Sequence, residues 1–384
     1  MKSMPQKPPT RWFFCCNAHN SMLKWNYKTE RMLIMKKLIS VVCVFAMLFT
    51  CLVPAFASAD YPFKTSDGVV RDPCVLVHDG KYYMYGTGLS NGQGYGCVVS
   101  EDLENWSAPM QVFSPDESFD GYCDYWAPEC HYYEGAFYLF ATYRAKSTDK
   151  RGCGIFRSSS PTGPFVLITD GHITPKEVDC IDGTLYVDED GQPWMVFVNE
   201  WTSREDGVGA MSVVKLSDDL SRLVSQPKEI FRADDPLWTN DHVTDGPFVY
   251  RTSEGNLVML WSNMALTGGY AVGMAVSDNG KIDGNWLHYP KAVYKQTNKQ
   301  ADGGHPMLFT TLDGQLMMAI HSPNASSETT HETATFIPMQ DNGKILVRAD
   351  GDFFSRVADV ILGIVFDMYR MLSGLVHNAD NGGC

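Results

Sequence analysis

The 384 residues are 44% hydrophobic, 12% aromatic and 20% charged, with 33 Gly and 20 Pro, a composition that can bury a large core and excludes a disordered or fibrous chain. Formal net charge is −14, yet residues 1–59 carry eight Lys/Arg and one Glu, so the remainder stands at −21. A surface of that sign repels nucleic acid and other anionic polymers on approach, which excludes them as partners.

In chain order, the first recognisable segment opens at Met35. Lys36 and Lys37 precede the apolar run Leu38 to Val53, and Ala57-Ser58-Ala59 follows. Charge, length and small residues predict a cleaved secretory signal, and the run is short for an anchor across a ~30 Å hydrocarbon core. The expectation is a secreted chain, extracellular or periplasmic, that begins near Asp60, has no transmembrane span, and leaves residues 1–34 as an upstream extension. Beyond it stand Cys74, Cys97, Cys123, Cys130, Cys153, Cys180 and Cys384. An odd count in a chain long enough to fold without staples reads as small buried hydrophobes, with room for one bridge.

From Asp60 onward the chain repeats itself. Five acidic-Gly turns, Asp79-Gly80, Glu134-Gly135, Asp190-Gly191, Glu254-Gly255 and Asp313-Gly314, are spaced 55, 56, 64 and 59 residues apart. Each is preceded by a short apolar strand and followed by another, so each repeat opens with a β-hairpin, and further strands such as GYGCVVS and YAVGMAVS follow. No helical-period segment of twelve or more residues appears between Asp60 and Val347. About four strands repeated five times predict an all-β, five-bladed β-propeller over 60–348.

In a propeller the first strand of each blade lines the central channel. Counting back seven to nine positions from four of the turns reaches Asp72, Asp182, Asp245 and His305; five positions back in the second repeat lies Glu129. The expectation is five ionisable residues at one structural rank. Carboxylates gathered in a funnel repel one another and lose solvation, which keeps at least one protonated beside an ionised neighbour. An acid, a base and a third carboxyl to tune the acid are the groups glycoside hydrolysis requires. The sequence holds no HExxH or P-loop to suggest another chemistry. Trp126, Tyr125, Trp201, Trp238 and Tyr143 lie beside these motifs or just past inner strands, where their rings can stack on a sugar.

The contexts RDP (Arg71 to Pro73), YWAPE (Tyr125 to Glu129), ID (Ile181, Asp182), TDGP (Thr244 to Pro247) and GGH (Gly303 to His305), taken in order, resemble the signature of glycoside hydrolase family 43 across about Asp60 to Pro338. The resemblance implies a propeller enzyme that hydrolyses α-L-arabinofuranosides or β-xylosides of plant cell-wall polysaccharide with inversion. It implies that Asp72 is the base that activates water, that Asp182 orients the acid and adjusts its pKa, and that His305 helps hold a calcium ion mainly through water. One position departs from the family pattern: the acid motif is usually EGP, and here Asp245 precedes Gly246. Two candidates for the acid follow, Asp245 or Glu200 in the loop after the third hairpin. Glu129 is read as a sugar-hydroxyl acceptor or supporting charge, and Trp126, Trp201 and Tyr125 as sugar-facing.

After the fifth repeat, apolar residues at helical spacing over Phe353 to His377 predict an amphipathic helical tail within 349–384. Three function classes follow: a secreted inverting glycosidase on oligo- or polysaccharide, a carbohydrate-binding propeller without turnover, and a protein-interaction propeller, which needs no buried carboxylates. Oligomeric state is not legible.

Overall fold

The computed structural model describes residues 63–64, 69–324, 331–351 and 357–368. The expected signal segment, the upstream extension, Cys384 and much of the tail lie outside the described residues. After the two-residue strand β1 (Phe63–Lys64), blade one is β2 (Arg71–His78), β3 (Lys81–Thr87), β4 (Tyr95–Ser100) and β5 (Met110–Phe113). Blade two is β6 (Gly121–Tyr133), β7 (Ala136–Ala145), β8 (Arg151–Ser158) and β9 (Val166–Leu167). Blade three runs through β10 (Cys180–Val187), β11 (Pro193–Asn199), β12 (Ala210–Lys215) and β13 (Lys228–Arg232), and blade four through β14 (Asp245–Arg251), β15 (Leu257–Met264), β16 (Tyr270–Ser277) and β17 (Trp286–His288). Blade five is β18 (Gly304–Thr310), β19 (Leu316–Ser322) and β20 (Thr333–Asp341), whose outer edge is shared by β1 and β21 (Leu346–Arg348). Every pairing is antiparallel, and the first strands of successive blades are neighbours around a closed ring.

The hairpins form as the sequence predicts. In the first two turns both residues have positive φ (46° and 71° at Asp79-Gly80, 48° and 79° at Glu134-Gly135), the mirror-image turn whose twist suits paired strands. In the other three only Gly does. The second strands are apolar almost without interruption because both faces meet neighbouring blades: every residue of Pro193–Asn199 is buried. The aromatic share fills the wedges between blades, as where Trp261 packs against Trp238 and Phe231 at centroid separations of 5.4 and 5.2 Å.

All six described cysteines are free thiols, so the bridge allowed for by the sequence is not formed among them. The propeller lies in a compact unit spanning Phe56–Asp359; of a second unit, Met1–Ala55 with Val360–Cys384, only helical residues 360–368 are described. The tail helix covers 357–368, and no helix among the described residues is long and apolar enough to cross a membrane.

One irregularity recurs in every blade. The register between first and second strands slips between Arg71 and Cys74, Trp126 and Glu129, Ile181 and Thr184, Asp245 and Phe248, and Gly304 and Met307. At each slip one residue has positive φ: Asp72 (56°), Ala127 (43°), Asp182 (55°), Gly246 (49°) and His305 (57°). These are β-bulges, which break the ladder and re-aim a side chain. Each leaves a buried amide N–H that must find an acceptor elsewhere.

The acceptor always belongs to the preceding blade. Ala127 N–H donates to Thr87 Oγ1 (2.8 Å), Asp182 N–H to Thr142 Oγ1 (3.0 Å), His305 N–H to Ser262 Oγ (2.8 Å) and Asp72 N–H to His321 Nδ1 (3.2 Å), closing the circle. Thr87, Thr142, Ser262 and His321 each pair across the hairpin with the residue before a bulge. In blade three that place is held by Val198, opposite Ile181, which offers no acceptor. The fifth N–H, of Gly246, goes instead to Asp182 Oδ2 at 2.9 Å.

Candidate active site

The bulges arrange the sequence motifs in ranks. The bulge rank holds Asp72, Ala127, Asp182, Gly246 and His305. The rank before it holds Arg71, Trp126, Ile181, Asp245 and Gly304, and two residues beyond the bulge lie Cys74, Glu129, Thr184, Phe248 and Met307. The single rank expected from counting is therefore corrected. Asp72, Asp182 and His305 share it, Asp245 stands one residue before, and Glu129 two residues beyond. Spacing carried the signal: the bulge precedes the turn acid by seven or eight residues in all five blades, whereas Asp245 and Glu129 required nine and five.

Three of these residues meet directly. His305 Nδ1 lies 3.2 Å from Asp72 Oδ1 and 3.6 Å from Asp182 Oδ2. Asp72 also accepts from Thr87 Oγ1 at 2.9 Å and lies 3.3 Å from His321 Nδ1 and 3.7 Å from Arg71 Nε. Burial alone would raise the Asp72 pKa, but His305 and, after it, Arg71 outweigh it and hold the carboxyl well below the usual range. Asp182 moves the other way: burial raises it, reinforced by Asp72 and opposed by His305 and the Gly246 N–H. Asp245 is raised furthest, by burial and then by the charge of Asp182, against the hydrogen bond it accepts from Tyr270 Oη at 2.9 Å. Gly246 must be Gly, since a Cβ there would stand 2.7 Å from the His305 backbone.

Glu200 sits apart from this group, at the end of β11 before a single 3₁₀ turn (Trp201–Ser203). Its carboxylate pairs with Arg151 Nη2 at 2.8 Å; Arg151 also lies 3.6 Å from both Asp124 and Asp179 and stacks over the Trp126 ring at 4.9 Å. Burial raises the Glu200 pKa and Arg151 opposes the rise. Trp126 and Trp201 are half-buried. Tyr125 packs edge-on to Tyr95 and stacks against Phe119. Two aromatics expected to face a sugar do not: Tyr143 is wholly buried and Trp238 is 6% exposed, filling the space left by Gly273. Glu129 accepts from Thr184 Oγ1 at 2.6 Å and lies 3.2 Å from His131 Nε2, which commits it within the channel.

Tyr270 and His321 were missed by the sequence reading because they lie on β16 and β19, outside the motifs. The available signal was the polar residue eight positions after the turn acid in four blades (Thr87, Thr142, Ser262, His321) within otherwise apolar strands. Calcium is tested by donor chemistry. Among the described residues no group of three or more His, Cys, Asp or Glu is arranged as ligands, and His305 Nδ1 faces two carboxylates. A hard cation takes six to eight oxygens, so these side chains do not form a protein-ligated calcium cage, and no chemical step is derived through the ion.

The family model for glycosyl hydrolases family 43 matches residues 64–343. A solved endo-arabinase from Bacteroides thetaiotaomicron VPI-5482 is 35% identical, with a TM-score of 0.66 over 75% of this chain and 100% of that one. An extracellular endo-α-(1→5)-L-arabinanase of Bacillus subtilis (strain 168) is 24% identical over 194 residues, 47% of this chain and 58% of its own length. An extracellular exo-α-(1→5)-L-arabinofuranosidase of Cellvibrio japonicus (strain Ueda107) is 28% identical over 176 residues, 42% of this chain and 47% of its own. The chain thus spans about half the length of the curated relatives it matches. A match across most of the propeller, joined to the ordered motifs and the funnel they build, places the chain in glycosyl hydrolases family 43 and so among the glycosidases.

Proposed function

We propose that this protein is a secreted inverting glycosidase acting on α-L-arabinofuranosyl linkages of plant cell-wall polysaccharide, with β-xylosides as the alternative substrate. The observation that carries the reading is the opposite displacement of two carboxyls in one funnel, Asp72 driven down and Asp245 driven up. Environments that push two acids apart assign the base and the acid. Asp72 accepts a proton from water as the water oxygen attacks the anomeric carbon; Asp245 gives its proton to the departing glycosidic oxygen from the other face. Asp182, beside His305 and charged toward Asp245, keeps the latter protonated. The names of the relatives support arabinan and an extracellular location, and the expected signal segment agrees with export.

Glu200 is the weaker candidate for the acid, since its carboxylate is tied to Arg151. Trp126, backed by Arg151 on one face, offers its other face to a sugar, and Trp201 borders the same region. A propeller that only binds carbohydrate has no use for two carboxyls separated in this way. The calcium implied by the resemblance would be held at His305 through water.

The test is product release from arabinan, arabinoxylan and xylan by the Asp60–Cys384 chain, treated with a chelator and then resupplied with calcium. Asp72→Asn should abolish release, a loss of ~10²-fold or more, and Asp245→Ala should do the same on polysaccharide while Glu200→Gln retains most of it. Full activity in Asp72→Asn would overturn the reading, and unchanged rates across the chelator arm would remove calcium from it.

A further inference from the structure

Asp245 stands where the resemblance puts a glutamate, one methylene longer, and its carboxyl is held by a residue of its own blade. Gly304 occupies the same rank as Asp245 with no side chain; a Cβ there would stand 2.3 Å from Tyr270 Cε1 and 2.7 Å from Ser262 Oγ. The Tyr270 ring fills that space, 2% exposed, and stacks on the His321 ring at 5.4 Å with planes 18° apart. Its hydroxyl donates to Asp245 Oδ2 at 2.9 Å. His321 in turn accepts the Asp72 N–H at Nδ1, with Nε2 facing Asn324 Oδ1 at 3.4 Å.

We propose that Tyr270 is the positioning residue of the acid: its hydroxyl fixes Asp245 Oδ2, so that the remaining oxygen presents the proton to the leaving group. Tyr270 has no free face toward the funnel and does not touch the sugar. It acts through Asp245, and the stack on His321 joins the supports of acid and base in one packed unit. A carboxylic acid free to rotate about its Cβ–Cγ bond presents its proton in the right direction for only part of the time, and misplacement of a reacting group by about 1 Å costs on the order of 10²-fold. The inference rests on Asp245 being the acid.

The experiment compares the wild type with Tyr270→Phe and Asp245→Ala on an α-1,5-arabino-oligosaccharide and on the 2,4-dinitrophenyl glycoside of the same oligosaccharide, whose departing phenolate needs no proton. Tyr270→Phe keeps the ring and its stack, so the fold is retained, and an unchanged melting temperature verifies it. Its kcat on the oligosaccharide should fall ~10- to 100-fold with KM little changed, while the dinitrophenyl substrate loses less than about threefold. Equal losses on both substrates would reduce Tyr270 to packing and overturn the inference. So would unchanged kcat in Tyr270→Phe beside an Asp245→Ala that shows the leaving-group difference. If Asp245→Ala itself retains full rate on the oligosaccharide, or if the wild type turns over neither substrate, the assignment of the acid fails first and the inference falls with it.

Discussion

Asp72 and Asp245 are the same residue type in the same funnel, yet their surroundings give them opposite effects on stability. The folded pKa of Asp245 lies above the unfolded value of ~3.9. Its contribution is therefore full below about pH 4 and is lost as pH rises toward the folded value. For Asp72 the folded value is depressed, so its contribution is present above ~3.9 and is lost as pH falls. Asp245→Asn should raise the melting temperature at pH 7 and give no gain at pH 3. Asp72→Asn should lower it at pH 7, with a penalty that shrinks in acid; each kcal/mol is worth ~1–2 °C in a chain of this size. Calorimetry at the two pH values decides the matter, and shifts of like sign at pH 7 would contradict it. The sequence made the identity of these residues legible, since acids in matching contexts stand out. It left unreadable what surrounds them: His321 lies 249 positions from Asp72 in the chain, and no local pattern announces that contact.

The bulge is the element that turns a repeated hairpin into a site. Hairpins, turns and strand order followed from acidic-Gly spacing and apolar runs, because those depend on neighbours in sequence. The register slip did not, and ranking Asp245 and Glu129 with Asp72 assumed strands of uniform pairing. Val198 shows how one side chain in this element propagates: lacking a hydroxyl, it sends the Gly246 N–H to Asp182, so a structural need of blade four becomes part of the electrostatics of blade three. The same logic makes Thr142 critical. Its Oγ1 receives the Asp182 N–H and is fully buried, so Thr142→Val should leave that donor orphaned at a cost of ~1–3 kcal/mol. Thermal melts should show the drop for Val and near-wild-type behaviour for Thr142→Ser, and kcat should fall with the former as Asp182 shifts. Val and Ser variants of equal stability would show that the bond is dispensable.

At the scale of the whole molecule the ring is closed by strands from both ends of the propeller. β1 pairs with the first part of β20 (Phe63 with Phe336, Lys64 with Thr335), while β21 pairs with its last part, so together they cover one strand edge. An uncovered edge invites pairing with other chains. A chain starting at Val69 should therefore melt a few degrees below one starting at Asp60, with each kcal/mol worth ~1–2 °C, and should aggregate more readily on heating; light scattering alongside calorimetry reads both. Identical behaviour of the two chains would show that β21 covers the edge by itself.

Closure also fixes when the funnel is completed. Asp72 belongs to the first blade to leave the ribosome, and the ring that holds its amide belongs to the last. Every nascent length short of β19 carries Asp72 without that contact, and contacts this distant in sequence form late because the intervening loop must close first. Chain order thus decides when the cluster is assembled: Asp72 meets His305 and His321 only when the final blade arrives.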